Sequence, residues 1–329
     1  MKSICISHKE DVDGIVSAAL LQHGLKVKNL FLVDYPNLLN SLDFVISICA
    51  KDKKFSRVFI CDVGLNKKNQ FLFLDKLKIL ISNNIQVIYI DHHYLEPEIK
   101  YQINEMGIKL IHDILECTSV QIYFLLENRI KKVFSFFAAA AALTDYMEDR
   151  TKAHLLVSKF DRTFLMLESC YLSYIISASQ RDIDFLKSIS KDISKGIMPH
   201  DIERGCSLVK QFSSKVAKAI SLIEERSIHL NNISYFEHDL DLSSSMIVNF
   251  VMGLSGKKVG IAFKMKSNIS SYILSIRGSK DCQTHLGKLV NNLSITFDGS
   301  GGGHDKACGA VIPAENFSKF LEKLDESIE

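Results

Sequence analysis

Short apolar runs, each followed by a segment of helical length, recur along the N-terminal half of this chain. Ser3-Ile-Cys-Ile-Ser7, Leu30–Val33, Val58–Cys61 and Val87–Ile90 have the length and apolar content of buried strands. Between them lie a turn at Asp13-Gly14 leading into a helical segment through Ala18, Ala19 and Leu20, a helix over Leu38–Ala50, and another over Phe71–Ser82. A helix between two strands returns the chain to the edge from which it started, so the strands pair in parallel rather than through hairpins. The predicted fold class is α/β: a largely parallel sheet with flanking helices, plus a smaller C-terminal α/β domain across a cleft.

The rest of the chain has a different rhythm. From about Ser119 to Arg226 the pattern is mostly helical, broken at Gly196 and Pro199, and Asp201–Arg226 is polar and periodic, as a connecting helix would be. The last hundred or so residues, by contrast, predict a hairpin of Lys258–Lys266 with Ser270–Arg277 across Ser267-Asn-Ile, a helix over His285–Asn292, a strand at Ala310–Pro313 and a terminal helix from Ala314. The expected domains are 1–195, a helical linker at 196–227, and 228–329.

Composition narrows the function. Of 329 residues, 47% are hydrophobic and 24% charged, and the net charge is only +2. Contact with nucleic acid would therefore need a local basic groove, since no general cationic surface exists. No apolar run reaches the roughly 18 residues of a membrane span; the longest, Phe136 to Leu143, reads as a buried Ala-rich helix. The N-terminus lacks a signal-peptide profile. The eight cysteines form no Cys-x-x-Cys pair and several sit inside strand-like runs, which points to small core residues in a reducing cytoplasm. The expected setting is cytoplasmic, with no membrane partner.

The acids and histidines are informative by position. His8 ends the first predicted strand and Asp11 and Asp13 follow it; Asp62 ends the third; Asp91, His92 and His93 end the fourth. In an open parallel sheet ligands bind beyond the carboxyl ends of the strands. One strand-end Asp is usually a turn former or a helix cap, but three strands delivering carboxylates and imidazoles to one edge are hard to explain as caps. Such a cluster is unfavourable unless cations neutralise it. Imidazole ligands suit manganese better than calcium, with magnesium the other candidate. Five or more ligands exceed the needs of one tetrahedral zinc, so two divalent ions are expected, and two ions roughly 3.5–4 Å apart are suited to phosphoryl chemistry.

His8-Lys-Glu-Asp11-Val-Asp13-Gly14, Asp62, Asp91-His92-His93, and Asp145 within Leu143-Thr-Asp-Tyr-Met resemble, in order, the four motifs of the DHH phosphoesterase superfamily. Gly301-Gly-Gly-His304-Asp-Lys-Ala-Cys-Gly309 resembles the signature of the DHH-associated C-terminal domain. Asp-His-His alone occurs by chance in many proteins; the joint match, spanning nearly the whole chain, is specific. The resemblance implies one metal held by His8, Asp11 and Asp62, and another by Asp13, Asp62, His92 and Asp145, with Asp62 shared. It implies that Asp91 orients a histidine and that His93 faces the substrate phosphate or the water. Asp149 competes with Asp145 on position alone.

In the C-terminal part, three glycines before His304 let a phosphate approach backbone N–H groups closely, although a glycine run alone is more often a flexible turn. By family analogy Gly302, Gly303 and His304 bind substrate. Arg277 ends a predicted strand with a fork suited to phosphate or a base edge, its alternative being a solvated cation. The lysines at 257, 258, 264 and 266 could extend a basic wall or simply be solvated. His112, His154, His200, His229 and His238 have no partner pattern, and His285 stands near a predicted helix start.

The leading expectation is a manganese-dependent exonuclease or oligonucleotide hydrolase, similar to nanoRNases and RecJ nucleases, acting on short RNA or single-stranded DNA. The alternative enzyme is a small-nucleotide phosphatase or cyclic-dinucleotide phosphodiesterase. Pyrophosphate ranks low, because the second domain lacks the Ser-Arg-Lys-Lys type segment of the superfamily's pyrophosphatases. A non-catalytic nucleic-acid-binding partner in a replication or repair assembly would be expected to have lost metal ligands. A homodimer is among the arrangements the sequence allows.

Overall fold

The computed structural model describes residues 2–65 and 69–329. It comprises two compact units, Met1–Phe212 and Ser213–Glu329.

The first unit is built on five strands, β1 (Lys2–His8), β2 (Asn29–Val33), β3 (Phe55–Cys61), β4 (Gln86–Asp91) and β5 (Lys109–His112). Their order is β2-β1-β3-β4-β5, and every neighbouring pair is parallel. Side chains alternate across a strand, and here each face has its own core. Cys5, Phe59, Cys61, Ile88 and Ile90 turn to one side; Ile4, Ile6, Val58, Ile60, Val87 and Tyr89 turn to the other. The second side is covered by α2 (Leu38–Lys51), α3 (Gln70–Ser82) and α4 (Pro97–Glu105) through Leu42, Leu77 and Ile103. Over the first side lie α1 (Val12–Leu25), α5 (Thr118–Leu126), α6 (Phe134–Thr144), α7 (Thr151–Val157), α8 (Arg162–Ala178) and α9 (Ile183–Lys195). Helix α6 is apolar all round and buried from Phe134 to Ala142, as a helix enclosed by other helices must be. Its five consecutive alanines present little bulk to α1, α5, α7 and α8, which all pack on it.

Helix α10 (Gly205–Arg226) runs through the division between the units. The second unit contains β6 (Ile228–His229), β7 (Ile233–Glu237), α11 (Ser244–Ser255), β8 (Val259–Lys266), β9 (Ser271–Gly278), α12 (Leu286–Thr296), β10 (Ser300–Gly303), β11 (Ala307–Pro313) and α13 (Phe317–Glu326). Its sheet runs β10-β11-β9-β8-β7-β6, with β7 and β8 parallel and the remaining pairs antiparallel. The core gathers Ile261, Ile276, Leu286, Val290, Phe320 and Leu324. Buried Asp325 accepts hydrogen bonds from the backbone N–H groups of Asn232 (2.7 Å) and Ile233 (3.0 Å), fixing the turn that leads into β7.

The parallel sheet, its flanking helices and the second α/β body follow the sequence pattern. Three corrections concern detail. The glycine run at 300–303, which carries no strand signal in the sequence, is a paired strand. The last helix begins at Phe317, after a single turn of 3-10 helix over Ala314–Asn316. Strands β5, β6 and β7 and helices α4 and α11 were not anticipated: β5 and β6 are short edge strands, and α11 is too apolar for its period to show. No helix among the described residues is long and apolar enough to cross a membrane. All eight cysteines are free and six of them are buried.

Candidate active site

Strands β1, β3 and β4 end on the same edge of the parallel sheet. After β1 the chain goes to one side to make β2, then returns to make β3 on the other. The ends of β1 and β3 therefore flank the point at which connections diverge, where a crevice opens. His8 is the last residue of β1, Asp62 directly follows β3, and Asp91 is the last residue of β4.

Two turns bring the side chains inward. The Asp11 side chain caps α1 by accepting from the Gly14 N–H at 2.9 Å, which starts the helix at once and carries Asp13 into the interior. A Cβ on Gly14 would lie 2.3 Å from the backbone oxygen of His8, so only glycine allows the helix to leave the strand this closely. Asp62 has φ +55°, the left-handed conformation that non-glycine residues rarely adopt. Its N–H donates to the Ile90 carbonyl at 3.0 Å and so ties the end of β3 to β4.

Two groups of potential ligands result, Asp62-His92-His93 and Asp13-His92-Asp145, each with its donor atoms within 4.8 Å of one another. His92 Nε2 lies 3.3 Å from Asp62 Oδ1, 3.4 Å from Asp145 Oδ2 and 3.9 Å from Asp13 Oδ2. His8 and Asp11 form a neighbouring pair, Nε2 to Oδ2 3.7 Å, with Glu10 equally near His8. Asp145 arrives from the C-terminal end of α6. Asp149 is exposed and belongs to neither group.

Asp91 and His93 are arranged differently. Asp91 Oδ1 lies 2.9 Å from His93 Nδ1, and Oδ2 accepts from the Tyr89 hydroxyl at 3.3 Å. With Nδ1 engaged in this way, His93 offers Nε2, which lies 3.3 Å from the Tyr35 hydroxyl. Gly64 makes room for the ring, since a Cβ there would come within 2.9 Å of it.

The electrostatics follow from crowding. Burial raises the Asp62 carboxyl well above its ordinary value, and the charges of Asp11, Asp13, Asp91 and Asp145 add to the effect. Asp145 is pushed up to about 8, first by burial and then by Asp13 and Asp11. Burial lowers His92 and keeps its imidazole neutral, the form that ligates metals. Burial also acts to lower His93, but the Asp91 hydrogen bond and the surrounding carboxylates outweigh it, and its pKa is raised.

In the second unit, Arg277 is the penultimate residue of β9. Its Nη1 donates to the Ile276 carbonyl (3.1 Å) and Nη2 lies 3.5 Å from the Ser245 hydroxyl. Gly302 and Gly303 end β10 with φ +141° and +147°, conformations open to glycine alone. Gly303 pairs with Cys308, and the adjacent Ala307 pairs with Arg277. Since the His304 N–H donates to the Ala307 carbonyl at 2.8 Å, His304 and Arg277 share one end of the sheet. The side chain of His304 is exposed.

Comparison with known proteins agrees with this arrangement. The model of the DHH family, N-terminal domain, matches residues 3–150, and that of the DHHA1 domain matches residues 235–329. The chain belongs to the DHH phosphoesterase superfamily. Over 108 residues it is 36% identical to uncharacterized protein MJ0831 of Methanocaldococcus jannaschii; the match takes in 30% of this chain and spans only 22% of that protein's length. Among solved structures it is similar to the pGpG-specific phosphodiesterase PggH of Vibrio cholerae, with TM-score 0.61, 11% identity and 98% of each chain covered. It is also similar to the DHH domain of PF0399, a member of the s1p family of ribosomal proteins (TM-score 0.67, 13% identity, 98% of this chain and 85% of that one). CDC45 from Entamoeba histolytica shares the fold as well (TM-score 0.55, 12% identity, 99% and 95%). At these identities the likeness is one of fold.

The DHH family depends on divalent metal, and the side chains present suit such ions. Asp62 Oδ2, Asp145 Oδ2 and His8 Nδ1 are buried without a hydrogen-bond partner. Such atoms are costly to bury, and a cation among them removes the cost for the two carboxylates. Mixed carboxylate oxygen and neutral imidazole nitrogen is a donor set for a divalent ion rather than for a thiolate-seeking one.

Sequence reading missed several DHH-site neighbours. Tyr35 touches His93 through its hydroxyl and packs its ring 5.0 Å from that of His8; its place just after β2, on the same sheet edge, was the available clue. Asp13 accepts from the backbone N–H groups of Thr118 (2.8 Å) and Ser119 (2.7 Å) and from the Ser119 hydroxyl, so the start of α5 holds it in place. Gln121 donates its amide to the carbonyls of Asp91 and Glu116.

Proposed function

We propose that this chain is a metal-dependent phosphodiesterase that hydrolyses short oligonucleotides, RNA or single-stranded DNA, from an end. The observation that carries the reading is the convergence of Asp13, Asp62, His92 and Asp145 at the divergence point of the sheet, with buried carboxylate oxygens left without donors. His8, Asp11 and Asp62 would hold one divalent ion and Asp13, Asp62, His92 and Asp145 a second, with Asp62 common to both. Manganese or magnesium bound there would supply a water of lowered pKa and neutralise phosphate charge.

The protein's own groups do the rest. Asp91 holds the proton of His93 on Nδ1 and favours the charged imidazolium, which presents Nε2–H to a phosphate oxygen or a departing oxygen. The Tyr35 hydroxyl, 3.3 Å from that nitrogen, restrains the ring. Burial raises the pKa of Tyr35, with Asp62 adding to the shift, so it stays a neutral hydrogen-bonding group. In the second unit, Arg277, Gly302, Gly303 and His304 are proposed to bind substrate, the glycines by exposing backbone and the two side chains by donating to phosphate or base.

A second reading has a specific support: the fold neighbour PggH is described as a pGpG-specific phosphodiesterase, so a substrate of very few nucleotides, or a small nucleotide, is the main competitor. The test is a product-resolved assay of end-labelled ribo- and deoxyribo-oligomers, from dinucleotide upward, with manganese and with magnesium. Cleavage that falls steeply beyond the dinucleotide would select the second reading. No cleavage of any oligomer, nor of a cyclic dinucleotide or a nucleoside bisphosphate, with either metal would end both.

A further inference from the structure

Glu116 is a buried carboxylate between β5 and α5 that belongs to neither ligand group. Both its oxygens are engaged by backbone at the start of α7: Oε1 accepts from the Lys152 N–H at 2.6 Å and Oε2 from the Ala153 N–H at 2.9 Å. The backbone of Glu116 is itself fixed. The Gln121 amide donates to its carbonyl at 2.7 Å, and also to those of Asp91 (3.2 Å) and Asp113 (3.1 Å), which ties the segment to the end of β4. Just beyond, the Thr118 and Ser119 N–H groups hold Asp13, and the Thr118 hydroxyl donates to Asp62 Oδ1 at 3.4 Å. The stretch 116–121 thus meets β4, Asp13 and Asp62 directly, and reaches α7 through one side chain.

Asp13 and Asp145 share a ligand group but are held in different ways. Asp13 accepts from two N–H groups and a hydroxyl, whereas Asp145 Oδ2, the oxygen facing His92, accepts from no donor. The backbone must therefore place Asp145. Before it, buried α6 does so. After it, the chain turns at Tyr146 (φ +57°), and the Met147 and Arg150 N–H groups donate to the carbonyls of Ala142 (2.9 Å) and Met147 (3.0 Å). Those bonds shape the turn from within, and Met147 packs into the core by apolar contact, which has no direction. Glu116 adds directed bonds from outside, where the turn enters α7. Two N–H groups aimed at two oxygens call for a carboxylate. An amide would turn its NH2 toward one of them and leave that buried donor unpaired.

We propose that Glu116 is a positioning residue for the metal centre: by gripping the start of α7 it sets the turn that carries Asp145, and with it the ion assigned to Asp13, Asp62, His92 and Asp145. The inference rests on the two-ion reading of the site and not on the choice of substrate.

The test is calorimetric titration of the metal-free full chain with manganese. The wild type should take up two ions. Glu116→Gln should keep one at wild-type affinity and bind the other about 10–100-fold more weakly, and Asp145→Asn should give the same pattern. Asp325→Asn disturbs a comparable buried cap in the second unit; it should lower the melting temperature and leave both ions bound as in the wild type. If Glu116→Gln does not fold, Glu116→Asp, whose oxygens stop short of the two N–H groups, takes its place with the same expectation. The proposal is overturned if the Glu116 variant binds both ions as the wild type does, or if both ions weaken to the same extent. It is equally overturned if Asp325→Asn weakens an ion as much as the Glu116 variant does. A wild type that takes up fewer than two ions would instead overturn the two-ion reading, and the role of Glu116 with it.

Discussion

Asp62 combines three costs in one residue: a left-handed backbone, a buried carboxylate, and an oxygen without a donor. A cation can offset the last two, which gives a thermodynamic signature independent of turnover. Manganese should raise the melting temperature of the wild type, and Asp62→Asn should abolish most of that rise while leaving the metal-free protein at least as stable. A variant that retains the full metal-induced shift would remove Asp62 from the ligand set. Asp91→Asn should keep the fold and lower kcat about 10–100-fold, because the amide no longer fixes the His93 tautomer; unchanged kcat would show that His93 needs no orienting. In the second unit, His238 is buried, and its pKa is lowered to about 4 by burial and then by Lys264. Its folded value lies below the ordinary value of about 6.5. The unfolded chain therefore binds the extra proton first, and stability present above pH 6.5 is lost as pH falls towards 4. Urea midpoints followed across that window should fall less in His238→Gln than in the wild type. The candidate ligands were readable because His8, Asp62 and His92 stand at or just beyond strand ends, with Asp11, Asp13 and Asp145 placed by the order of the motifs. Tyr35 was not, since one aromatic residue after a strand has no pattern and acquires meaning only when β2 is placed beside β1.

At the scale of elements, the junction of α12 with the glycine strand is the tightest in the second unit. A Cβ on Gly287 would stand 2.1 Å from the Gly303 carbonyl oxygen, while the Gly287 N–H donates to the His304 carbonyl at 3.0 Å. Gly287→Ala must therefore push α12 away from β10. It should raise KM for an oligonucleotide with little change in metal affinity; an unaltered KM would argue against the substrate role of Gly302, Gly303 and His304. The sequence announced the strand-helix alternation of the first unit because burial on both faces makes its strands continuous apolar runs. It was silent on β10, since four residues of serine and glycine carry no strand propensity, and only pairing with β11 extends them.

For the whole molecule, the ion count separates an enzyme from a binding module. Metal analysis of the chain equilibrated with manganese should find two ions per chain, and one or none would favour the non-catalytic reading. EDTA should lower the unfolding temperature of the first unit, whose sheet edge concentrates the carboxylates. The second unit should be little affected, because its buried Asp325 is already satisfied by backbone donors.

Asp13 has a further consequence for how such a centre comes into being. Its carboxylate rests on the first N–H groups of α5, where the helix end carries partial positive charge. One of the crowded acids is thus soothed by the polypeptide itself before any ion arrives. On that footing the first unit is expected to refold fully in EDTA, and a chain that refolds only with metal present would show that the helix end does not suffice.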